Sequence, residues 1–260
     1  MCYNAASLTQ ASLKYAKHRG ESAEDIAAIE QKLEVERKLL NPFFHVNAFA
    51  HPPLLCFTNK EPLNPVFYNW GLIPSWTKDE EQAASIANQT LNARSETMFE
   101  KPSFRNAADN KRCLIYLDAF YEFHHFKNKT FPFHISMKDH SPMILAGLYD
   151  EWLNKHTGEL IKTVSIVTCE GNNSMNKIHN NPKNTGPRMP LILHKEDQNK
   201  WLKPIESKED KDSLLQLIKP FSDELLEYYT VGKLIGKDAI GNIPEVEHSL
   251  KYDELTDIIK

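Results

Sequence analysis

The first forty residues carry a helical spacing of apolar positions. This spacing predicts helices over residues 7–18 and 22–40, after a short N-terminal strand. Ser22 stands where an N-cap belongs, and acidic residues fill the first turn of the second helix. Asn41 and Pro42 then end this region, because the residue before a proline disfavours the helical conformation.

Beyond residue 42 the pattern changes to short apolar and aromatic runs that are typical of strands. Strands are predicted at residues 43–49, 54–58, 66–70, 112–117, 131–136, 142–149, 163–168 and 189–193. Short helices are predicted at residues 80–88, 174–178, 195–202 and 212–218. The polar run over residues 203–213 is interpreted as a solvated surface connection. Because the strands do not alternate regularly with helices, the pattern predicts an α+β fold with a closed or strongly curved sheet.

The composition is that of a globular protein. The 260 residues are 41% hydrophobic and no Gly/Ser-rich or Pro-rich stretch divides them, so we expect a single domain over residues 2–260. The start of the chain lacks the features of a secretory signal, and no apolar run approaches the ~20 residues that a bilayer requires. We therefore expect a cytoplasmic protein. The four cysteines show no CxxC spacing, so we expect free thiols, no metal and no cofactor.

The charge balance limits the kinds of partner. A net charge of −4 and an isoelectric point near 6.3 give no global electrostatic case for binding duplex DNA or a membrane surface. Any nucleic-acid site must therefore be local. Of the six arginines, Arg94 and Arg188 fall inside the motifs described below. We expect no membrane partner and a monomeric chain.

Cys2 is the sharpest chemical feature of the sequence. Methionine aminopeptidases remove Met1 when the second side chain is small, which would leave Cys2 with both a thiol and a free α-amine. With ordinary pKa values of about 8.5 and about 7.7–8.0, both groups are partly nucleophilic at neutral pH. Such a residue either attacks an acyl carbon or captures an aldehyde as an imine that the thiol closes to a thiazolidine. The alternative is that a cysteine at position 2 is incidental.

Two further segments combine turn residues with aromatic or polar groups. In residues 70–76, Trp-Gly-Leu-Ile-Pro-Ser-Trp, two tryptophans bracket a turn, and they either stack on an unpaired base or fill the core. Residues 92–97, Asn-Ala-Arg-Ser-Glu-Thr, bring an amide, a guanidinium and a carboxylate together. Arg94 either holds a phosphate with two hydrogen bonds or pairs internally with Glu96 or Glu100.

Two titratable side chains complete the candidates. Glu122 closely follows the strand predicted at residues 112–117 and has aromatic neighbours on both sides. Desolvation there would favour protonation and suit a proton shuttle, whereas strand alternation that points Glu122 to solvent is the other interpretation. His179 follows Ile178 and precedes the Arg-Met-Pro of residues 188–190. A lone histidine beside an apolar residue is usually structural, so His179 is weak evidence by itself.

Together these motifs resemble the SOS response-associated peptidase (SRAP) family. Cys2, the Trp-to-Trp turn, the Asn-Ala-Arg-Ser-Glu-Thr string, Phe-Tyr-Glu, and Ile-His followed by Arg-Met-Pro occur in the family's order over about residues 2–193. The resemblance implies a single α+β domain with a curved, barrel-like, mostly antiparallel β core and peripheral helices. It also implies a DNA-repair protein that senses abasic sites in single-stranded DNA and crosslinks to them covalently, with self-processing peptidase and lyase-type activity.

The resemblance assigns catalytic roles by position. Cys2 would form a thiazolidine with the aldehyde of the open-chain deoxyribose, and Asn92 would orient the N-terminal residue. Glu122 would transfer protons during imine formation and crosslink reversal. His179 would protonate the sugar oxygen as the ring opens.

The resemblance also assigns DNA contacts. Arg94 and Arg188 would hold phosphates, and Trp76 would lie against the base beside the lesion.

The chain departs from the family's pattern in four places. Tyr3 and Asn4 stand where the family commonly has Gly and Arg, which removes one phosphate contact and makes the entrance bulkier. Residues 47–50 are Asn-Ala-Phe-Ala in place of Asn-Val-Ala-Pro, and Thr77 replaces the second of two adjacent tryptophans. Eight residues, 180–187, separate the histidine from the Arg-Met-Pro motif where the family usually has one.

Two alternatives stay open at the level of sequence. An amidohydrolase or peptidase that uses Cys2 as an N-terminal nucleophile would need the same free N-terminus but no DNA contacts. A non-covalent single-stranded DNA binding module would need the DNA contacts but not the thiol.

Overall fold

The computed structural model describes residues 2–8, 14, 16–19, 22–37, 41–183 and 185–255. The strands of this part of the chain are β1 (Asn4–Ser7), β2 (Phe43–Asn47), β3 (Pro53–Thr58), β4 (Pro65–Trp70), β5 (Asn92–Arg94), β6 (Arg112–Leu117), β7 (Ala119–Phe126), β8 (Lys129–Met137), β9 (Met143–Leu153), β10 (Leu160–Glu170), β11 (Arg188–Pro190) and β12 (Leu226–Thr230). Its α-helices are α1 (Ala23–Arg37), α2 (Glu80–Gln89), α3 (Arg105–Asn110), α4 (Asn173–Ile178), α5 (Gln198–Leu202) and α6 (Lys208–Leu215).

Five strands close into a barrel in the order β10-β4-β3-β6-β9, and β9 pairs again with β10. Neighbouring strands are antiparallel except β10 and β4, which run parallel. Leu54, Leu114 and Ile166 are fully buried on these strands, because the runs of branched apolar residues pack well in a closed sheet. β5 and β11 extend the sheet beside β10. The α+β fold with a curved, barrel-like, mostly antiparallel core is therefore confirmed.

A second, five-stranded antiparallel sheet has the order β12-β8-β7-β1-β2. Its third strand, β7, follows β6 of the barrel after Asp118 alone, whose backbone N–H donates to the carbonyl oxygen of Ala6 at 3.0 Å. The Ser7 hydroxyl donates to the Tyr116 carbonyl at 3.3 Å. Because Ala5 and Ala6 are small and buried, β1 lies close to the barrel, and one apolar cluster contains residues of both sheets. The N-terminal residues are thus placed in the middle of the molecule.

The predicted long helix is confirmed as α1, and Ser22 is its cap. The Ser22 hydroxyl accepts a hydrogen bond from the Asp25 backbone N–H at 3.0 Å, and the Asp25 carboxylate accepts one from the Ser22 N–H at 3.1 Å. Most of the helix predicted over residues 7–18 lies outside the described residues, and Ser7 belongs to β1. Within the described ranges, no helix is long and apolar enough to cross a bilayer.

The polar run over residues 203–213 is solvated, as interpreted, but only its first part is a connection. α6 begins at Lys208 inside this run, with Ser207 and Asp210 forming a reciprocal capping box at 3.1 Å in both directions. The helix predicted at residues 212–218 therefore begins four residues earlier than expected, because only Leu214 among the residues of α6 is buried and the apolar periodicity is weak. β7 and β12 were not predicted, since both mix aromatic residues with charged or imidazole side chains.

Candidate active site

Cys2 is buried two residues before the start of β1, and Asn92 holds its backbone. The Asn92 side-chain amide donates to the Cys2 carbonyl oxygen at 2.8 Å. Asn92 is itself fixed by the parallel pairing of β5 with Ile166 of β10. Its side-chain oxygen, Oδ1, is buried and has no hydrogen-bond partner among the described residues. Since Asn92 already binds the carbonyl of residue 2, this unused acceptor lies at the N-terminal end of the chain.

The environment of the Cys2 thiol strongly favours its protonated form. Burial raises the pKa of this thiol from 9.0 to about 12, and the negative charge of Glu122 adds to the effect. Its Sγ atom lies 3.9 Å from the carbonyl oxygen of Asn4, a distance suited to a weak S–H donor. The thiol therefore stays neutral at physiological pH until a base removes its proton.

Glu122 lies on β7 with its side chain in the interior. The residue is 8% exposed, so the interpretation that strand alternation points it to solvent is wrong. The Phe123 backbone N–H donates to its Oε1 atom at 3.1 Å. Asn4 pairs with Tyr121 in the antiparallel register of β1 and β7, and the same register continued by one residue places Tyr3 opposite Glu122. Strand pairing thus brings the N-terminus to this carboxylate.

His179 follows α4 directly and contacts the same carboxylate. Its Nδ1 atom lies 3.5 Å from Oε2 of Glu122, and its backbone N–H donates to the Met175 carbonyl at 2.8 Å. α4 is held against β7 because an imidazole nitrogen of His124, Nδ1, lies 2.8 Å from the Lys177 carbonyl. The helix therefore positions a buried imidazole beside a buried carboxylate, a pair suited to proton transfer.

A cavity of about 630 Å³ opens onto Glu122 and His179. One wall carries Tyr3, Asn4 and Phe49 from the N-terminal strands. Another part of the wall is formed by residues 233–238, Lys-Leu-Ile-Gly-Lys-Asp, which carry none of the predicted motifs. The only signal of this segment in the sequence is its glycines: Gly232 precedes it and Gly236 lies within it. Gly236 has a φ of +93°, which other residues rarely adopt.

The two arginines of the predicted DNA contacts have different partners. Arg188 binds the Glu96 carboxylate with both terminal nitrogens, at 2.5 and 2.9 Å, and this pairing lowers the pKa of Glu96. Arg94 is exposed and donates to the Thr185 hydroxyl at 3.2 Å. Among the described residues it pairs with neither Glu96 nor Glu100, so that interpretation is wrong.

The two tryptophans of the turn have opposite environments. Trp70 is fully buried and donates from its indole nitrogen to the Leu91 carbonyl at 2.7 Å, so it fills the core. Trp76 is 50% exposed and is available to a ligand. Trp76, Arg94 and Arg188 are not among the residues that line the cavity, so they lie outside the pocket of Glu122 and His179.

The four cysteines are free and buried, which confirms the expected free thiols. Cys56 and Cys113 lie on adjacent barrel strands, and Cys169 lies on β10. Burial raises the pKa of Cys113 and of Cys169, as expected for small apolar side chains in a core. Of the four, Cys2 alone lies next to a residue of the cavity wall.

Comparison with known proteins gives a consistent set of similarities. The family model described as "SOS response associated peptidase (SRAP)" matches residues 5–238. The abasic site processing protein YoqW of Bacillus subtilis is 39% identical over 181 residues, which cover 69% of this chain and 74% of that protein. The abasic site processing protein HMCES of Xenopus tropicalis is 30% identical over 195 residues, covering 68% of this chain and 54% of that protein.

A crystal structure of a protein from Bacteroides thetaiotaomicron has the same fold. It superimposes with a TM-score of 0.80 at 34% sequence identity, covering 96% of this chain and 100% of that one. The architecture described above therefore extends over almost the whole chain in a second protein.

Proposed function

The chain belongs to the SOS response associated peptidase (SRAP) family, and on that premise we propose that it processes abasic sites in single-stranded DNA through covalent attachment to Cys2. The observation that supports this most strongly is the location of Cys2, which Asn92 holds next to the buried pair of Glu122 and His179. Removal of Met1 turns this cysteine into an aminothiol, and it is the only peptide-bond cleavage that the proposal requires.

The reaction is a condensation without oxidation or reduction. The α-amine of Cys2 adds to the aldehyde carbon of the open-chain deoxyribose, and loss of one water gives an imine. The thiol then adds to the imine carbon, its proton passes to the nitrogen, and a five-membered thiazolidine forms. Because ring closure is intramolecular, the effective concentration of the thiol strongly favours this product.

The order of the two nucleophiles follows from their acidity. A thiol with a pKa of about 12 is protonated at neutral pH, whereas an α-amine ordinarily has a pKa of about 7.7–8.0. The amine therefore attacks first, and the thiol reacts as a base removes its proton. This order argues against an amidohydrolase, in which the thiolate itself would have to attack an acyl carbon.

The remaining site residues move protons or orient the terminus. Glu122 takes the proton of the thiol as the ring closes and passes it to the imine nitrogen, and it carries the proton back to the sulfur when the adduct reverses. His179, 3.5 Å from Glu122, protonates the sugar oxygen as the closed deoxyribose opens to the aldehyde. The unused Oδ1 atom of Asn92 accepts a hydrogen bond from the α-amine. This hydrogen bond orients the amine so that the lone pair of its nitrogen points toward the cavity.

Three side chains outside the cavity bind the DNA strand in this proposal. Arg94 and Arg188 contact phosphates, and Trp76 stacks on a base at a distance from the cavity. Because Arg188 is bound by Glu96, its contact with a phosphate requires that the anion displace or share this carboxylate. Exposed Arg94 needs no such exchange and supplies the larger share of the phosphate binding.

Denaturing electrophoresis of the protein with matched single-stranded oligonucleotides tests the proposal. We expect a shifted, heat-stable species with the oligonucleotide that carries one abasic site and none with the intact one. The mass of the adduct equals protein without Met1 plus oligonucleotide minus one water. Cys2→Ala should abolish the stable species, whereas Cys169→Ala, which removes a buried thiol outside the cavity wall, should leave it unchanged.

Three outcomes distinguish the possibilities. A wild-type protein that binds both oligonucleotides without any covalent species is a non-covalent binding module. A protein that hydrolyses acyl substrates through Cys2 and ignores abasic DNA is an amidohydrolase. Retention of Met1 in the intact mass of the natively expressed chain would by itself refute the aminothiol mechanism.

A further inference from the structure

Tyr3 and Phe49 form a stacked aromatic pair at the entrance of the cavity. Their ring centroids lie 5.6 Å apart and the rings are inclined by 25°. Both residues line the cavity, and Phe49 is 55% exposed. One side of the Phe49 ring therefore packs on Tyr3, while much of the rest of its surface is open to the cavity and to solvent.

Backbone hydrogen bonds hold this pair in place. Phe49 lies in the short 3-10 helix Ala48–Ala50, and the Asn47 side-chain oxygen accepts from its backbone N–H at 2.9 Å. The Ala48 N–H donates to the Tyr3 carbonyl at 2.8 Å, which ties this turn to the start of β1. His51 ends the turn in the left-handed conformation, with φ of 49°. The exposed ring is thus presented by a fixed backbone.

Positive charges lie close to the pair. The charge of Arg94 acts on the Tyr3 hydroxyl, although burial and Glu122 together raise the pKa of this phenol, so Tyr3 stays neutral. Lys237 lines the same cavity, is exposed and has no ion-pair partner among the described residues, whereas Lys233 is paired with Asp238 at 2.8 Å. Aromatic faces beside cations are the usual means of binding single-stranded nucleic acid, since bases stack while phosphates pair.

We propose that Tyr3 and Phe49 form a stacking site for the nucleobase next to the abasic sugar, a site that rests on the proposed function. The base lies on the open face of Phe49, and Tyr3 supports this ring from its other face. Because Tyr3 directly follows Cys2, a base bound here keeps the neighbouring sugar within reach of the terminal aminothiol. Tyr3 and Phe49 both stand where the chain departs from the family's motifs. The chain thus gains a base contact beside Asn4, the position at which the family's phosphate contact is missing.

Fluorescence of 2-aminopurine tests the site without any covalent step. The probe is a single-stranded oligonucleotide with a tetrahydrofuran residue, which has no aldehyde, and 2-aminopurine as its 5′ or its 3′ neighbour. Stacking on an aromatic ring quenches this base. We expect wild-type protein to quench it at one of the two positions.

Substitution of Phe49 separates stacking from general binding. Phe49→Ala should abolish the quenching and weaken binding about tenfold, equivalent to about 1.4 kcal/mol, which lies in the range of ~1–3 kcal/mol for one stacked base. Phe49→Tyr should restore both. Leu160→Ala, which removes an equally exposed apolar side chain outside the cavity, should change neither. Thermal unfolding of each variant shows whether its fold is intact.

Failure of the stacking site and failure of the covalent function give different results. Equal quenching by wild type and Phe49→Ala, or none at either position, overturns the site even when the authentic abasic oligonucleotide still forms its adduct. Loss of concentration-dependent dimerisation in Phe49→Ala without DNA would overturn it as well, because a second copy would then cover Phe49. Absence of the adduct with normal, Phe49-dependent quenching refutes only the covalent function.

Discussion

The backbone N–H and the carbonyl oxygen of Arg188 both lie 3.1 Å from Nδ1 of His179. When Nδ1 is unprotonated it accepts from this N–H, and when it is protonated it donates to this oxygen or to Glu122. The Nδ1 atom therefore has a hydrogen-bond partner whether or not it carries the proton, so neither form leaves a buried nitrogen unpaired. The eight residues between His179 and Arg188 do not separate the two groups in space.

Glu122→Gln should slow adduct formation about a hundredfold without changing DNA affinity. The amide has the shape of the carboxylate but cannot take the proton of the thiol, and general base catalysis contributes ~10²–10⁴-fold. Single-turnover electrophoresis gives the rate, and a tetrahydrofuran oligonucleotide gives the affinity. Glu227→Gln, an exposed change on β12 of the same sheet, is the control. An unchanged rate in Glu122→Gln would remove Glu122 from the mechanism.

Cys2→Ala should separate the two nucleophiles. This variant retains the terminal amine, so borohydride should still trap its imine with abasic DNA, while the stable adduct disappears. The trapping rate should rise with pH through about 7.7–8.0, the ordinary range of an α-amine. Because burial and the charge of Glu122 favour the protonated thiol, wild type should show no second, thiol-dependent rise near pH 8. A thiol-dependent rise near pH 8 would contradict this order of attack.

The sequence predicts those elements whose local pattern agrees with their tertiary environment. The strand predicted at residues 112–117 has the bounds of β6, since every residue there is apolar or buried. β7 was missed because its Glu122 and His124 are buried polar groups that make the pattern look like a surface segment. Their burial depends on α4 and on β1, and neither contact is visible in a local window of sequence.

The candidate site was also predicted only in part from the sequence. Cys2, Asn92, Glu122 and His179 were proposed from motifs, but motifs do not reveal that strand pairing and α4 bring them together. The cavity wall at residues 233–238 has no motif, because it contributes shape and charge rather than chemistry. Its position follows from the fold alone.

Arg94→Ala should weaken binding of all single-stranded DNA to a similar degree. Loss of one phosphate contact reduces the slope of log K against log salt by about 0.7 for single strands. Fluorescence anisotropy at several salt concentrations measures this slope. Arg105→Ala, an exposed arginine on α3, is the matched control and should keep the wild-type slope. A sequence-dependent loss of affinity in Arg94→Ala would instead indicate a contact with a base.

His134 should make the fold less stable in mild acid. Its buried ring stacks on Tyr229 at 4.9 Å and lies edge-on to Tyr121 at 5.2 Å, and burial lowers its pKa from 6.5 to about 4. The unfolded chain binds this proton near pH 6.5 but the folded chain only near pH 4. The free energy of unfolding is therefore fully maintained above pH 6.5 and falls by up to about 3 kcal/mol as the pH drops to 4.

Urea unfolding between pH 7.5 and 4.5 measures this loss. His134→Phe keeps the aromatic contacts but has no titrating group, so its stability should depend less on pH. His156→Phe, at an exposed position, should retain the wild-type dependence. Equal pH dependence in wild type and His134→Phe would show that other groups cause it.

Arg112 joins two helices to the barrel through a buried guanidinium. It is fully buried on β6, and its nitrogens donate to carbonyl oxygens at the C-terminal ends of α3 and α5. The acceptors are Trp201 at 2.8 Å, Ala108 at 2.7 Å, Asp109 at 2.8 Å and Lys203. These carbonyls lie at the end of each helix, where no later N–H of the same helix can pair with them. The guanidinium therefore supplies their donors and also neutralises the negative ends of both helix dipoles.

Arg112→Met should therefore lower the free energy of unfolding by at least about 3 kcal/mol, since several buried carbonyls lose their donors. Arg112→Lys should recover only part of this loss, because an ammonium has the charge but not the planar array of donors that reaches two helix ends. Arg105→Met, on the exposed side of α3, should stay within about 0.5 kcal/mol of wild type. Urea denaturation measures the free energy of unfolding of each variant. An Arg112→Lys protein as stable as wild type would mean that the positive charge alone is sufficient to hold the two helices on the barrel.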